Sequence, residues 1–308
     1  MQETLWIERF IRPLVRASGA HGLRDDVAVL SAGDATIVTM DTLVEGVHFL
    51  PTDPLDTVGQ KLVRVNVSDI LAKGARPSEA LLSIAWPRAR SEAKFADLVG
   101  GIGRDLDQFE AALIGGDLVA TPGPLTLTMT ITGSGLKAEP VRRSGGRPGQ
   151  GVFVNGEIGW GGLGLRAAMT GTAPEIARRY RVPDIGPLEI AQTIAEFATA
   201  SMDISDGLLM DAKRLAAASE CGVEMELSRV PLAKPTETLD EILAQCTSGD
   251  DYRILISAPS GTPVPGFTQI GTLTESLGLT LRFQNTQINP PATLGFEHRS
   301  GIKGSDSR

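Results

Sequence analysis

Aspartates recur in this chain beside small or turn-forming residues, in Arg24-Asp25-Asp26, Asn66-Val67-Ser68-Asp69, Gly115-Gly116-Asp117 and Asp203-Ile204-Ser205-Asp206-Gly207. One more, Asp41, follows the apolar run Ile37 to Met40 and precedes a turn containing Gly46 and His48. Carboxylates presented from several loops suit a hard cation such as Mg2+, which takes oxygen ligands in near-octahedral geometry and shares them with substrate phosphates. Zinc fits less well. The three histidines, His21, His48 and His298, form no zinc spacing, and Cys221 and Cys246 stand in no metal-ligand spacing. The chemistry implied is the gathering of divalent cations around phosphate.

Each candidate also has a plainer reading. Positions 58, 62, 65 and 69 share a helix face, so Asp69 points inward with Val58, Leu62 and Val65 or else ends the helix facing water. Gly115-Gly116-Asp117 lets a ligand approach the backbone at a strand end, or is a tight turn. Ser205 or Asp206 is an N-cap of the following helix, and the same helix start suits a phosphate. Asp25 and Asp26 repel one another, which a divalent cation relieves; they are otherwise a loop pair. His48 is a ligand contact or a structural histidine. Arg142-Arg143 clamps a phosphate or is a solvated basic pair.

Two nucleotide-binding motifs bear on the phosphate reading. Gly159-Trp160-Gly161-Gly162-Leu163-Gly164 satisfies G-x-G-x-x-G, with Asp184 at about the distance of a ribose-binding acid. However, Asp184 lies in the polar run Arg178-Arg-Tyr-Arg-Val-Pro-Asp, and a lone match among 35 glycines is weak. No lysine is preceded by glycine and followed by Ser or Thr, so a Walker A loop is absent.

The positioning elements follow from periodicity. An amphipathic helix is expected over 2–16, with helices at 56–73, 91–109, after 164, at 187–199 and at 207–219. Strands are expected at 35–40, 80–86, 111–114, 125–132, 152–154, 223–227, 252–258, 267–273 and 279–283. Leu125-Thr-Leu-Thr-Met-Thr-Ile-Thr132 alternates without a break, as in an antiparallel sheet with one less buried face. The turn-formers of Ser144-Gly-Gly-Arg-Pro-Gly-Gln-Gly151 mark a boundary. The organisation expected is an N-terminal domain, 1–138, and a C-terminal α/β domain, 139–308.

The 308 residues, 42% hydrophobic and 21% charged, suffice for two ordinary cores. A net charge of −8 with 5% aromatics argues against a nucleic-acid surface. No apolar run approaches the roughly 20 residues of a membrane span, and the N-terminus carries Glu3 and Glu8 and lacks the continuous apolar core of a signal peptide. Two widely separated cysteines fit a reducing compartment. A cytoplasmic protein is expected.

Taken in order, Asp41-Thr-Leu-Val-Glu-Gly-Val-His48-Phe, Val65-Asn-Val-Ser-Asp69, Leu113-Ile-Gly-Gly-Asp117, Arg143-Ser-Gly, Asp203-Ile-Ser-Asp206-Gly-Leu and Ser248-Gly-Asp-Asp-Tyr252 resemble the thiamine-monophosphate kinase family. That family's superfamily includes aminoimidazole ribonucleotide synthetase and selenophosphate synthetase. The resemblance runs from about residue 5 to residue 298. It implies an α/β (α+β) fold of two mixed-sheet domains, with the N-terminal sheet forming a barrel in a homodimer. It implies ATP-dependent phosphorylation of thiamine monophosphate to thiamine diphosphate, assisted by several Mg2+ ions. By matched position, Asp26, Asp41, Asp69, Asp117 and Asp203 resemble magnesium ligands, with Thr39 and Asp206 in support. Gly116, Asp117, Arg143 and Ser205 resemble ATP contacts, and His48, Asp250 and Phe296 resemble contacts to thiamine phosphate.

The chain departs from that pattern at Arg24 for glycine, Met40 for threonine, Leu118 for threonine, Asp250 for glutamate and Arg253 for another acid. Met40 costs one side-chain oxygen, and Asp250 and Arg253 bear on the acceptor side. Two other readings stay open. One is another ATP-using synthetase or ligase of the superfamily. No cysteine precedes position 221, where a selenophosphate synthetase would want one, and the chain ends Ser-Asp-Ser-Arg without the cysteine of a carbamoyl-transfer factor. The other is a non-catalytic protein that binds nucleotide or thiamine phosphate.

Overall fold

The computed structural model describes residues 7–16 and 36–296. It shows a two-domain α/β protein with two mixed sheets. The first sheet has strands β1 (Thr36–Val44), β2 (Ala75–Pro87), β3 (Ala112–Thr121) and β4 (Thr126–Gly135) in the order β1-β4-β2-β3. Helices α1 (Leu55–Ala72) and α2 (Glu92–Gln108) belong to this half. The second sheet takes β5 (Gly151–Asn155), β6 (Ala200–Ile204), β7 (Gly222–Glu226), β8 (Arg253–Ala258), β9 (Phe267–Thr274), β10 (Gly278–Phe283) and β11 (Thr286–Ile288) in the order β11-β10-β7-β9-β5-β8-β6. Its helices are α3 (Trp160–Thr170), α4 (Pro174–Arg181), α5 (Ile190–Phe197), α6 (Leu208–Ala218) and α7 (Leu239–Cys246).

The alternation of β4 sorts as the sequence suggests. Leu127, Met129 and Ile131 are buried, and the intervening threonines lie on the opposite, open face. The open face continues through Val38 and Met40 on β1, Leu81 on β2 and Val119 on β3, all exposed. α1 covers the other face. It is enclosed nearly all round: Leu62, Val63, Val67, Ile70 and Leu71 are buried, and so are the polar Gln60, Lys61, Asn66 and Ser68, each of which must find a partner. One continuous core runs from it to Phe153, Ile254 and Ile256 of the second sheet.

Several elements differ from expectation. The N-terminal helix is a π-helical turn, Ile7–Ile11, followed by a 3-10 turn, Arg12–Leu14; Pro13 brings no N–H to continue a regular helix. β1 runs on to Val44, because β4 offers partners from Ser134 to Thr126, so Asp41 lies within a strand and the turn comes only at Gly46. β3 likewise continues past Gly115-Gly116 in parallel with β2, which rules out the tight-turn reading of Gly115-Gly116-Asp117. α4, α7, β6 and β11 were not anticipated. The sequence of α4, Pro-Glu-Ile-Ala-Arg-Arg-Tyr-Arg, buries only Ala177 and Tyr180, so it carries little apolar periodicity. Cys221 and Cys246 are buried free thiols, and among the described residues no helix is long and apolar enough to cross a membrane.

Candidate active site between the two halves

β1 and α1 face one another across the first part of the site. The Thr39 hydroxyl donates to Asp69 Oδ2 at 2.6 Å, which settles the inward phase of Asp69. Two residues along, on the same face of the strand, stands Asp41, whose backbone N–H donates to Asn66 Oδ1 at 3.0 Å. Asn66 is fixed in turn by donating to Leu62 O at 2.9 Å. Burial and the neighbouring Asp69 carboxylate push the Asp41 carboxyl up to about 6.

The second half contributes from the end of β6. Ser68 Oγ donates to Asp203 Oδ2 at 3.0 Å. Burial foremost, then the Asp69, Asp211 and Asp41 carboxylates, hold the Asp203 carboxyl well above the usual range, with the Ser68 hydroxyl opposing. On the far side Lys73 Nζ donates to Ser201 O at 2.8 Å. Burial lowers the Lys73 ammonium and the nearby Arg143 adds to that, while Asp203 and Asp69 counter it. The sequence reading missed Lys73.

The loop after β6 is built differently from a capped helix. Gly207 stands at the N-cap position of α6 with no side-chain cap. Asp211, on the first turn of α6, accepts from Ser205 N at 3.1 Å and Asp206 N at 3.0 Å. Those two amides are therefore engaged from beneath, and the N-cap role expected of Ser205 or Asp206 is not what the structure has. The Asp206 carboxylate pairs with Arg214.

From this loop a chain of contacts leads to the other candidates. Phe296 N donates to Asp206 O at 2.8 Å, and Asp250 N donates to Ser205 O at 2.8 Å. Tyr252 OH donates to Asp250 Oδ1 at 3.1 Å, and Lys61 Nζ meets Asp250 Oδ2 at 3.1 Å. Lys61 also donates to His48 O at 3.0 Å. His48 Nδ1 accepts from Val44 N at 3.0 Å, which leaves the ring proton on Nε2.

Thr39, Asp41, Asp69 and Asp203 are thus gathered at the β1–α1–β6 junction, and His48, Asp250, Ser205, Asp206 and Phe296 along its flank. Gly116 and Asp117 are not part of this group. Register runs Asp41–Met129–Leu82–Gly116 across the sheet, so β1 and β3 form opposite edges. Three strand spacings of about 4.8 Å put roughly 14 Å between those edges. Asp117 also shares the open face with Val119, whereas Asp41 faces α1. Met40, 63% exposed, is on that open face too; its side chain points away from Asp69. Asp26 lies outside the described residues, as do His21 and His298.

The glycine-rich decoy resolves by a residue the sequence reading passed over. Asp251 accepts from Gly159 N at 2.8 Å and Gly161 N at 2.9 Å, filling the start of α3 with the protein's own carboxylate. Asp184 pairs with Arg253 at 3.0 Å and is not presented to a ribose. The Asp-Asp pair before Tyr252 was the only signal in the sequence.

The donors fit magnesium in kind: carboxylate and hydroxyl oxygens, with carboxyls raised first by burial and then by mutual repulsion, both of which a bound cation would offset. Among the described residues no three acidic, histidine or cysteine side chains converge into a preformed chelate. Mg2+ does not need one, because it keeps waters and shares phosphate oxygens.

The chain matches the AIR synthase related protein N-terminal domain over residues 24–136 and the AIR synthase related protein C-terminal domain over residues 147–281. Fold and site therefore define a member of the AIR synthase-like class. A thiamine-monophosphate kinase from Caulobacter vibrioides is 34% identical, the alignment covering 95% of this chain and 89% of that one. The chain belongs to the thiamine-monophosphate kinase family. In structure it is similar to a thiamine-monophosphate kinase from Stenotrophomonas maltophilia (27% identity, 94% of this chain and 98% of that one, TM-score 0.79). It is also similar to AaThiL complexed with AMPPCP and TMP (27% identity, 92% and 99%, TM-score 0.76).

Proposed function

We propose that this chain transfers the γ-phosphoryl group of ATP to thiamine monophosphate, giving thiamine diphosphate and ADP in the cytoplasm. The observation that carries the reading is the meeting of Thr39, Asp41, Asp69 and Asp203 at one junction. Asp41, Asp69 and Asp203 would hold magnesium, with Thr39 orienting Asp69. Bound magnesium supplies charge neutralisation between two anionic substrates. Arg143 and Ser205 would serve the nucleotide, and His48, Asp250 and Phe296 would flank the acceptor. Because the Ser205 and Asp206 amides are bound to Asp211, Ser205 would act through its side chain.

The nucleophile is a phosphate oxygen of the acceptor. With a second pKa of about 6, that phosphate is mostly dianionic at neutral pH and needs no general base. This agrees with His48, whose Nδ1 is engaged by Val44. Positioning and charge neutralisation then suffice for in-line transfer. Inversion at a chiral γ-phosphorus is the expected outcome, and retention would indicate a phosphoenzyme and contradict it.

The reading places the domain boundary at 138/139 and includes a homodimer. Val38, Met40, Leu81 and Val119 expose an apolar sheet face that a second copy would cover in a barrel. Asp26, Gly116 and Asp117 complete the set taken from the resemblance. Since Asp117 stands on the edge and face opposite Asp41, it would enter a site from the partner subunit.

A further inference from the structure

Lys61 is 1% exposed in the middle of α1. An ammonium so enclosed persists only where its donors are met. Here one meets the carbonyl of His48 at 3.0 Å, another the Asp250 carboxylate at 3.1 Å, and the ring of Tyr180 lies 3.9 Å from the nitrogen. The Tyr180 hydroxyl donates to the same His48 carbonyl at 3.3 Å. Tyr252 holds the other oxygen of Asp250, and the Asp250 backbone is tied to Ser205 O at a φ of 66°. The His48 turn belongs to the N-terminal half, and Asp250 and Tyr180 belong to the C-terminal half. Lys61 is the side chain that touches all three.

We propose that Lys61 is a positioning residue for the acceptor: its buried ammonium fixes the His48 turn against the Asp250 carboxylate, so the two keep one separation. This rests on the reading of His48 and Asp250 as acceptor contacts. Lys61 is too enclosed to touch the acceptor itself. Its length and charge set the distance across which the acceptor is gripped.

The test uses the full-length protein and the variants Lys61→Met, Lys61→Arg and Asp250→Asn. The first readout is the imidazole resonance of His48, assigned among the three histidines with His48→Gln. The second is KM for thiamine monophosphate and for ATP. Lys61→Met and Asp250→Asn should each shift the His48 signal. Lys61→Met should raise KM for thiamine monophosphate about tenfold or more, with KM for ATP nearly unchanged. Because Asp250 would also contact the acceptor, the double variant is read on the His48 signal, which Asp250→Asn should shift little further once Lys61→Met has broken the pair. Lys61→Arg, which keeps the charge but not the length, should recover part of the loss. An unmoved His48 signal overturns the proposal, as does an equal rise in both KM values or a Lys61→Arg variant no better than Lys61→Met. Should Lys61→Met fail to fold, Asp250→Asn alone must move the His48 signal, or the proposal falls. If the wild type does not phosphorylate thiamine monophosphate, the acceptor reading fails, and the His48 signal still decides whether Lys61 links the two segments.

Discussion

The hydroxyl of Thr39 and the carboxylate of Asp69 meet at 2.6 Å across the interface of strand β1 and helix α1. The bond occupies one lone pair of Asp69 and sets the direction in which the remaining oxygen lone pairs point.

Replacing Thr39 by Val removes that donor while keeping the β-branched shape the strand favours. A hydrogen bond to a charged group contributes about 1.5–3 kcal/mol, so the Mg2+ concentration for half-maximal turnover should rise by roughly tenfold or more, with the unfolding temperature lowered by a few degrees. Thr39→Ser should remain close to wild type. A Val variant with wild-type magnesium response in a titration of rate against Mg2+ would show that Asp69 does not need this orientation.

Gly116 sits where a Cβ would lie 1.8 Å from the carbonyl oxygen of Leu82. Backbone blocks it on the neighbouring strand, so Gly116→Ala must separate β3 from β2. It should destabilise the protein by about 2 kcal/mol or more and displace Asp117. Gly115→Ala meets only a terminal methyl of Leu81 at 3.1 Å, which can rotate away, so it serves as the control. Chemical denaturation of the two variants should separate them; equal stability would contradict the close approach.

Asp251 gives a pH signature. Burial foremost raises its carboxyl to about 7 from an ordinary 3.8, against the pull of the Gly159 and Gly161 amides and Arg253. The folded state therefore holds a proton that the unfolded chain has released across that window. The stability this contributes is fully present below about pH 4 and is lost as pH rises towards 7, at up to ~1.4 kcal/mol per pH unit. Asp251→Asn cannot titrate, so its stability relative to wild type should improve between pH 4.5 and 7 and then level off. Parallel stability curves for the two proteins across that range would refute the assignment.

Much of this site was legible in the sequence. The spacing of Asp69 from Val58, Leu62 and Val65 left an inward and a water-facing reading open, of which the bond to Thr39 selects the inward one, and the order of the aspartate motifs pointed to the family they resemble. Two kinds of feature stayed hidden. Lys61 and Asp251 matter through partners distant in sequence, namely His48, Tyr180 and Asp250 for Lys61, and Gly159 and Gly161 for Asp251. The one local hint for Lys61 was its place directly before the apolar pair Leu62-Val63. The lengths of β1 and β3 were hidden as well, because cross-strand pairing extends them past Asp41 and through Gly115-Gly116, where local turn preference alone suggests a stop.

Asp117 provides a test of assembly. If each site takes Asp41 from one subunit and Asp117 from its partner, Asp41→Asn and Asp117→Asn proteins should both be inactive alone. Mixed by unfolding and refolding together, they should form heterodimers with one intact site, recovering a substantial fraction of activity. No recovery in a mixture shown to contain heterodimers would place both carboxylates in the same subunit's site.

The most direct measurement is product analysis with ATP, Mg2+ and either thiamine monophosphate or thiamine as acceptor, in wild type and Asp41→Asn. The account predicts thiamine diphosphate and ADP in equal amounts from thiamine monophosphate and no comparable phosphorylation of thiamine. It also predicts loss of turnover in a folded Asp41→Asn protein. Absence of thiamine diphosphate from the wild type, or undiminished turnover in Asp41→Asn, would contradict it.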